Sequence, residues 1–579
     1  MPSRIHFVPV VLAIILGLLG CTTSRTPRNT ADSARDADSS AEDVDYSSSA
    51  VKARTESLAH YSAAILHEQN DEPELAADEY FRAAMADPGN ESIVLEATTR
   101  LLRFRPISKD DEKPAKMREK ALELLKKATA RPDASGTLFA RLGLVYSMQG
   151  KKEPAIEANR KAIRKMPNAL AGYQYLAQIY LQSGQTEDGL RVLDEAARQS
   201  KVDAAFLIDL GETYAAFGRG GSLEAVKPRA LEAFRRAAAL NPTNAVSLQR
   251  LADGFNFLGE TKRAVEYYLK LLDRLPNLTN VRDKLVELYL RQQDRTNAAA
   301  QLRAVIRESP ADPKAYYLLG SILFEGRDIK EAAECFSKTL LLSPKFEPVY
   351  YDLAFAQINL DKPQEALETL RKARDQFPEN FVGEYYTGLA YARMKDHTNS
   401  VKYYTSAEVI ARATATNRLT HGFYFQLGAA YERTHHFKEA ESYFRKALAL
   451  SPDFSEALNY LGYMWAERGE NLKEARDMIE KANKLEPKNA AFLDSLSWVL
   501  FKLDKPEEAL PHILEAIKLD DEPDATLYDH LGDIYAALRK PDKAREAWKK
   551  ALSIEPNEQI EKKLKASAAD VPSPEGGPR

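Results

Sequence analysis

The sequence predicts an all-α protein, a solenoid of helix-turn-helix units, and three observations carry that prediction. In HGFYFQLGAAYERTHHFKEAESYFRKALALSPDF, His421 to Phe454, residues Tyr424, Leu427, Gly428 and Tyr431 share one face of a first helix. Ala440, Phe444 and Ala447 share one face of a second, and Pro452 stops it. Glycine weakens a helix, so Gly428 inside a good helical pattern predicts a neighbouring helix too close for a larger side chain. The small Ala440 has the same expected cause. Second, this pattern returns along most of the chain. Third, the composition is 44% apolar and 9% aromatic, ample for burial between stacked helices with no central core.

The order of large, small, aromatic, small and proline residues resembles the tetratricopeptide repeat, whose unit is about 34 residues. With Gly428 as the eighth position and Ala440 as the twentieth, about fourteen copies begin at Ser57, Glu91, Gly136, Leu170, Ala204, Ala245, Thr279, Pro313, Glu347, Phe381, His421, Ser455, Ala490 and Ala525. The twentieth position is alanine in twelve copies, with Gly189 and Ser400 as near substitutes. The eighth is glycine or alanine in eleven, with Thr98, Val286 and Ser497 as departures, and the thirty-second is proline in ten. Extra residues fall in five copies, 11, 7, 6, 1 and 1 in the second, fifth, tenth, twelfth and thirteenth. The resemblance implies a right-handed superhelical solenoid of about 14 repeats over residues 57–558.

The N-terminus reads as an address. Residues 1–21, MPSRIHFVPVVLAIILGLLGC, carry Arg4 and an apolar run of 13 residues from Phe7 to Leu19, interrupted by Pro9. That run is short for a membrane span and fits the core of a secretory signal. Leu18, Leu19, Gly20 and Cys21 resemble the lipobox of bacterial lipoproteins. The resemblance implies a signal peptide over 1–20, lipidation of the Cys21 thiol, cleavage after Gly20 and an acyl anchor. Thr22, in place of the aspartate that resembles an inner-membrane retention signal, favours the outer membrane, facing the periplasm. The alternatives are an ordinary signal peptide with an incidental cysteine, or an uncleaved anchor. Cleavage would leave 80 basic against 85 acidic residues. The stretch 21–56, rich in Ser, Thr, Ala and Asp, is expected to be a disordered tether.

Along the array, the second copy carries the loop Arg105 to Lys116; its acidic trio, Asp110 to Glu112, has lysines beside it and no spaced ligand pattern, and reads as a solvated loop. Asn159 is the one polar residue at an otherwise apolar twenty-fourth position. The stretch Gly218 to Pro228 in the fifth copy lacks a preceding strand and a Gly-Lys-Ser/Thr ending, so it reads as a lengthened turn and not a phosphate loop. An insertion near Ile410 to Thr420 is expected to extend a helix, and Cys335 to be a structural thiol beside Phe336. Residues 559–579 should supply a short capping helix, Ile560 to Ser567, and a disordered tail.

The resemblance implies that first helices line a concave groove whose contact positions include the second, fifth, ninth and twelfth of each unit. In copies eight to eleven these are Tyr317, Phe324, Tyr351, Phe355, Ile358, Tyr385, Leu389 and Phe425. They form a candidate partner-binding stripe, with tyrosines offering both area and a hydroxyl. Packing between neighbouring first helices is the other reading. The same positions turn polar at Asp283, Glu287, Asp529 and Asp533. The basic and asparagine clamp by which some tetratricopeptide adaptors hold a C-terminal carboxylate is not found.

Catalysis has no foothold. His435 and His436 sit in a turn without a metal pattern, and no serine elbow, HExxH or dinucleotide fingerprint occurs. With two cysteines there is no disulfide framework, and a formal net charge of −4 gives no excess to displace counterions from nucleic acid. The expectation is a non-enzyme without cofactor or metal: a membrane-anchored scaffold for protein-protein contacts in the bacterial cell envelope, serving assembly of a secretion, pilus, outer-membrane or polysaccharide-export complex. The alternative is a periplasmic peptide- or chain-binding chaperone using the aromatic groove.

Overall fold

The computed structural model describes residues 49–106, 111–219, 223–520 and 522–569, and among them there are twenty-nine α-helices and no strand. The chain divides into two compact units, one ending at Ala233 and the other starting at Phe234. In both, successive helices pair antiparallel and each pair packs on the next. From the second repeat to the fourteenth, the first helix begins at the residue where the register places it, from Glu91 to Ala525.

Local chemistry starts and stops these helices. Asn90, Ser135, Asn244, Asp312, Asn380, Thr420, Asn489 and Asp524 cap first helices, their side chains accepting a backbone N–H from the first turn. The turn inside a repeat has a second requirement. Its fifteenth residue is left-handed in twelve repeats. Glycine meets that need at Gly150, Gly184, Gly259 and Gly469, whereas Asp71, Gln293, Arg327, Asp361, Lys395, His435, Asp504 and Arg539 adopt positive φ at a cost.

Within a repeat, the eighth position sets how closely the two helices approach. A Cβ on Gly428 would lie 2.9 Å from Cδ1 of Phe444, and one on Gly388 would lie 2.5 Å from Cδ1 of Tyr404. Phe444 and Tyr404 are fully buried, so large ring and missing side chain are two halves of one contact. Asn159 follows the same rule in the N-terminal unit: a Cβ on Gly143 would lie 2.3 Å from its Nδ2, which donates to the Ala155 carbonyl at 2.8 Å. Its own helix thus satisfies the Nδ2, while the Oδ1 is buried without a partner.

Four stretches differ from, or refine, the reading of the sequence. The first helix spans Ser49–Gln69, so 49–56, expected in the tether, are helical; alanine, lysine, arginine and glutamate there are good helix formers. Residues 21–48, with Cys21, lie outside the described residues. The reading of 218–228 as a lengthened turn is corrected at its described residues: Gly218 and Arg219 belong to the last turn of the helix Ala204–Arg219, and Leu223 to Pro228 begin the helix Leu223–Ala239. A Cβ on Gly218 would lie 2.7 Å from Cγ2 of Val226, so the ends of these two helices are in close contact and a larger residue at 218 would not fit. In the tenth repeat, the insertion extends the second helix to His397–Thr414, followed by a 3-10 turn, Thr416–Arg418. At the end, the helix Glu558–Ala569 seats Ile560 against Ala544, Trp548 and Ala551.

Candidate functional site

In the C-terminal unit, the first helices of consecutive repeats form one face. Their core positions, such as Leu319, Leu353, Ala354 and Leu427, are buried. The stripe positions one turn away are only partly so: Tyr317, Phe324, Tyr351, Phe355, Tyr385, Leu389 and Phe425 all keep part of their surface in solvent. Ile358 is the exception and a correction. It is 2% exposed and packs with Ala354, Ala366, Leu370 and Ala390, because the twelfth position here turns inward toward its own second helix.

Ring contacts run across the face. Phe324 meets Phe355 at 5.5 Å between centroids, and Phe355 stacks on Tyr386 at 4.9 Å, joining three helices: Pro313–Glu325, Glu347–Asn359 and Phe381–Arg393. Tyr385 lies against Phe381 and Phe423, and Phe425 against Phe454 and Tyr460. The aromatics thus pack on one another and keep partly exposed surfaces. Packing between neighbouring first helices, the second reading of the stripe, is what these contacts show.

Sequence reasoning missed the sixth position of the repeat, which supplies Asp352, Tyr386 and Tyr460. Tyr460 is 37% exposed. Following every position of the first helix, and not four of them, would have found these residues. Tyr317 donates its hydroxyl to Oδ2 of Asp352 at 2.9 Å; Tyr351 donates to Glu347 at 3.0 Å, and the Asn380 amide donates to both. Burial pushes the Tyr317 and Tyr351 hydroxyls up to about 12. Burial also raises Asp352, against the lowering effect of the Tyr317 bond.

Toward the C-terminus the face becomes ionic. His530 Nδ1 lies 2.7 Å from Asp494 Oδ1, both buried, with the His530 ring stacked on Trp498 at 4.0 Å. Burial opposes the imidazolium, but Asp494, with Asp529 and Glu467, outweighs it and raises His530 above its ordinary value. Asp529 and Asp533, expected in the polar zone, both accept from Lys563 of the terminal helix, at 2.8 and 2.6 Å. Asp283 and Glu287 are exposed.

Elsewhere the chemistry is spare. Cys335 is a buried free thiol that burial pushes up to about 11. His435 occupies the left-handed turn position at φ 61°. Among the described residues, no group of three or more His, Cys, Asp or Glu is placed to hold a metal ion, and no helix is long and apolar enough to cross a membrane.

Comparison with known proteins matches tetratricopeptide repeat models at residues 176–221, 284–345 and 351–417, and at 421–454 and 525–558. The human protein O-mannosyl-transferase TMTC3 is 26% identical over 264 residues, 41% of this chain and 28% of that protein. The general transcriptional corepressor ssn6 of Schizosaccharomyces pombe is 29% identical over 166 residues, 28% of this chain and 15% of that protein. The chain therefore spans well under half the length of these curated relatives. Among solved structures, a crystal structure of the APC/C hetero-tetramer Cut9-Hcn1 aligns at 18% identity with a TM-score of 0.38, covering 82% of this chain and 96% of that one.

Proposed function

From the premise that this chain carries tetratricopeptide repeats in an all-α array, we propose that it is a membrane-anchored scaffold of a bacterial cell envelope. Its first-helix face docks other proteins in the assembly of a secretion, pilus, outer-membrane or polysaccharide-export complex, and it has no catalytic role. Repeats of this kind mediate protein-protein contacts. The observation that carries docking is the partly exposed aromatic run from Phe324 through Phe355 to Tyr386, on helices whose core positions are already filled. Aromatic surface of that kind, rimmed by hydroxyls and carboxylates, supplies the anchoring area of a protein interface. The anchor rests on Leu18 to Cys21 in the sequence, and with it the outer-membrane location.

The test is in-cell crosslinking followed by membrane fractionation. It compares the natural chain with Phe355→Ala/Tyr386→Ala and with Cys21→Ala. The expectation is a defined set of envelope proteins that the double variant loses while its helical signal and melting persist, and release from the membrane by Cys21→Ala alone. A double variant that retains every partner removes the docking face. Membrane association that survives Cys21→Ala removes the anchor. Capture of many unfolded chains with no fixed set would replace the scaffold with the chaperone.

A further inference from the structure

Several carboxylates on the first-helix face of the C-terminal unit receive cations from the chain itself. Asp253 takes Lys284 Nζ at 2.5 Å, Asp494 takes His530, and Asp529 with Asp533 takes Lys563. Each cation stands on the first helix of the following repeat or on the terminal helix, and Lys563 is 34 residues beyond Asp529. Among the described residues the exposed Asp283 has no such cation, and neither does Asp352, which is half-buried. The residue 34 places beyond it is Tyr386. Among the described residues Asp352 has no ion pair, only the neutral Tyr317 hydroxyl at 2.9 Å. Glu347 on the same helix likewise accepts only from Tyr351 and Asn380. Arg418, whose charge acts on Tyr386, lies over the Phe381 ring at 5.6 Å and makes no ion pair with Asp352.

A half-buried carboxylate with one neutral donor keeps unused acceptor capacity, and losing water costs it more than it costs a paired acid. Its neighbours are ring faces: Tyr386, whose hydroxyl is raised by burial and then by Asp352, stacks on Phe355. Carboxylate beside aromatic faces is complementary to a cation on an apolar stem. We infer that this face recognises its protein partner through one basic side chain, lysine or arginine, set among apolar residues and received by Asp352 between Tyr317 and Tyr386. The inference rests on the docking reading above and names what that face selects.

The experiment uses the full chain and three acetylated peptide pools of about nine residues, with Leu, Val or Phe flanking a central arginine, citrulline or glutamate, and reads binding by fluorescence anisotropy. The arginine pool should bind at least tenfold tighter than the glutamate pool, and clearly tighter than citrulline, with the margin shrinking in high salt. Asp352→Asn keeps an acceptor for Tyr317 and should erase that preference while citrulline binding stays. Tyr386→Lys, which supplies at Asp352 the internal cation found at Asp529, should erase it too. Equal binding of all three pools, or a preference that survives Asp352→Asn in a folded variant, overturns the inference and leaves docking standing. Failure of every pool to bind overturns both.

Discussion

Replacing Gly388 by alanine tests the packing rule of the array most directly. The new Cβ would sit 2.5 Å from Cδ1, 2.7 Å from Cε1 and 3.0 Å from Cγ of Tyr404. Ordinary contact begins near 3.4 Å, so ring and helix must part by roughly 0.9 Å. Tyr404 is fully buried and touches Tyr385 at 5.6 Å and Phe423 at 6.4 Å between ring centroids, so it has nowhere to go. Overpacking of this kind costs about 1–3 kcal/mol, and a fully buried ring places this site at the upper end. Helix propensity returns about 1 kcal/mol for Gly→Ala, leaving a net loss of about 2 kcal/mol. Gly422 is the internal control, since its added Cβ meets only the Thr420 hydroxyl at 3.9 Å. Amide exchange over 381–414 and urea unfolding should show Gly388→Ala destabilised and Gly422→Ala unchanged or slightly improved. Adding Tyr404→Leu to Gly388→Ala should recover part of the loss. A Gly388→Ala chain as stable as Gly422→Ala refutes the argument that the eighth position is small because the twenty-fourth is large.

Four further outcomes follow from the geometry. Arg327→Gly relieves a left-handed turn at φ 66° and should raise the unfolding free energy, read from urea denaturation, by about 0.5–1 kcal/mol, whereas Gly184→Ala, at φ 73°, should lower it. The His530 imidazolium gains Asp494 in the folded state, so its pKa is raised above the ordinary 6.5; its stabilisation is complete below 6.5 and is lost as pH rises through the higher folded value. Melting from pH 6 to 9 should fall in the natural chain and flatten in His530→Phe. Lys563→Ala leaves Asp529 and Asp533 without their cation and should loosen the last repeat by about 1 kcal/mol, read as faster amide exchange over 525–569. Cys335, with its thiol raised to about 11 by burial, should react with iodoacetamide at neutral pH far more slowly in the native chain than in urea.

What the sequence determined by itself is the periodic part of the protein. The register placed the first helix of thirteen repeats at its observed starting residue, because a small eighth residue, a small twentieth and a terminal proline are local consequences of two helices in contact. It also exposed Asn159 as an anomaly without explaining it. Gly143, in the preceding helix, gives the Asn159 side chain the room it occupies, and only the paired helices bring the two together. The left-handed turn residue was hidden because aspartate, arginine, lysine and histidine stand where glycine would have announced it. At the face, the fifth position was legible as aromatic and the ninth as apolar at Phe355 and Leu389. Whether each ring was exposed was not, since Ile358 and Phe355 share a pattern but Ile358 turns into the core. The role of Asp352 was least visible of all. A carboxylate is marked out by what fails to neutralise it, and that depends on which side chain the next repeat delivers across the fold: Lys563 at Asp529, and Tyr386 at Asp352.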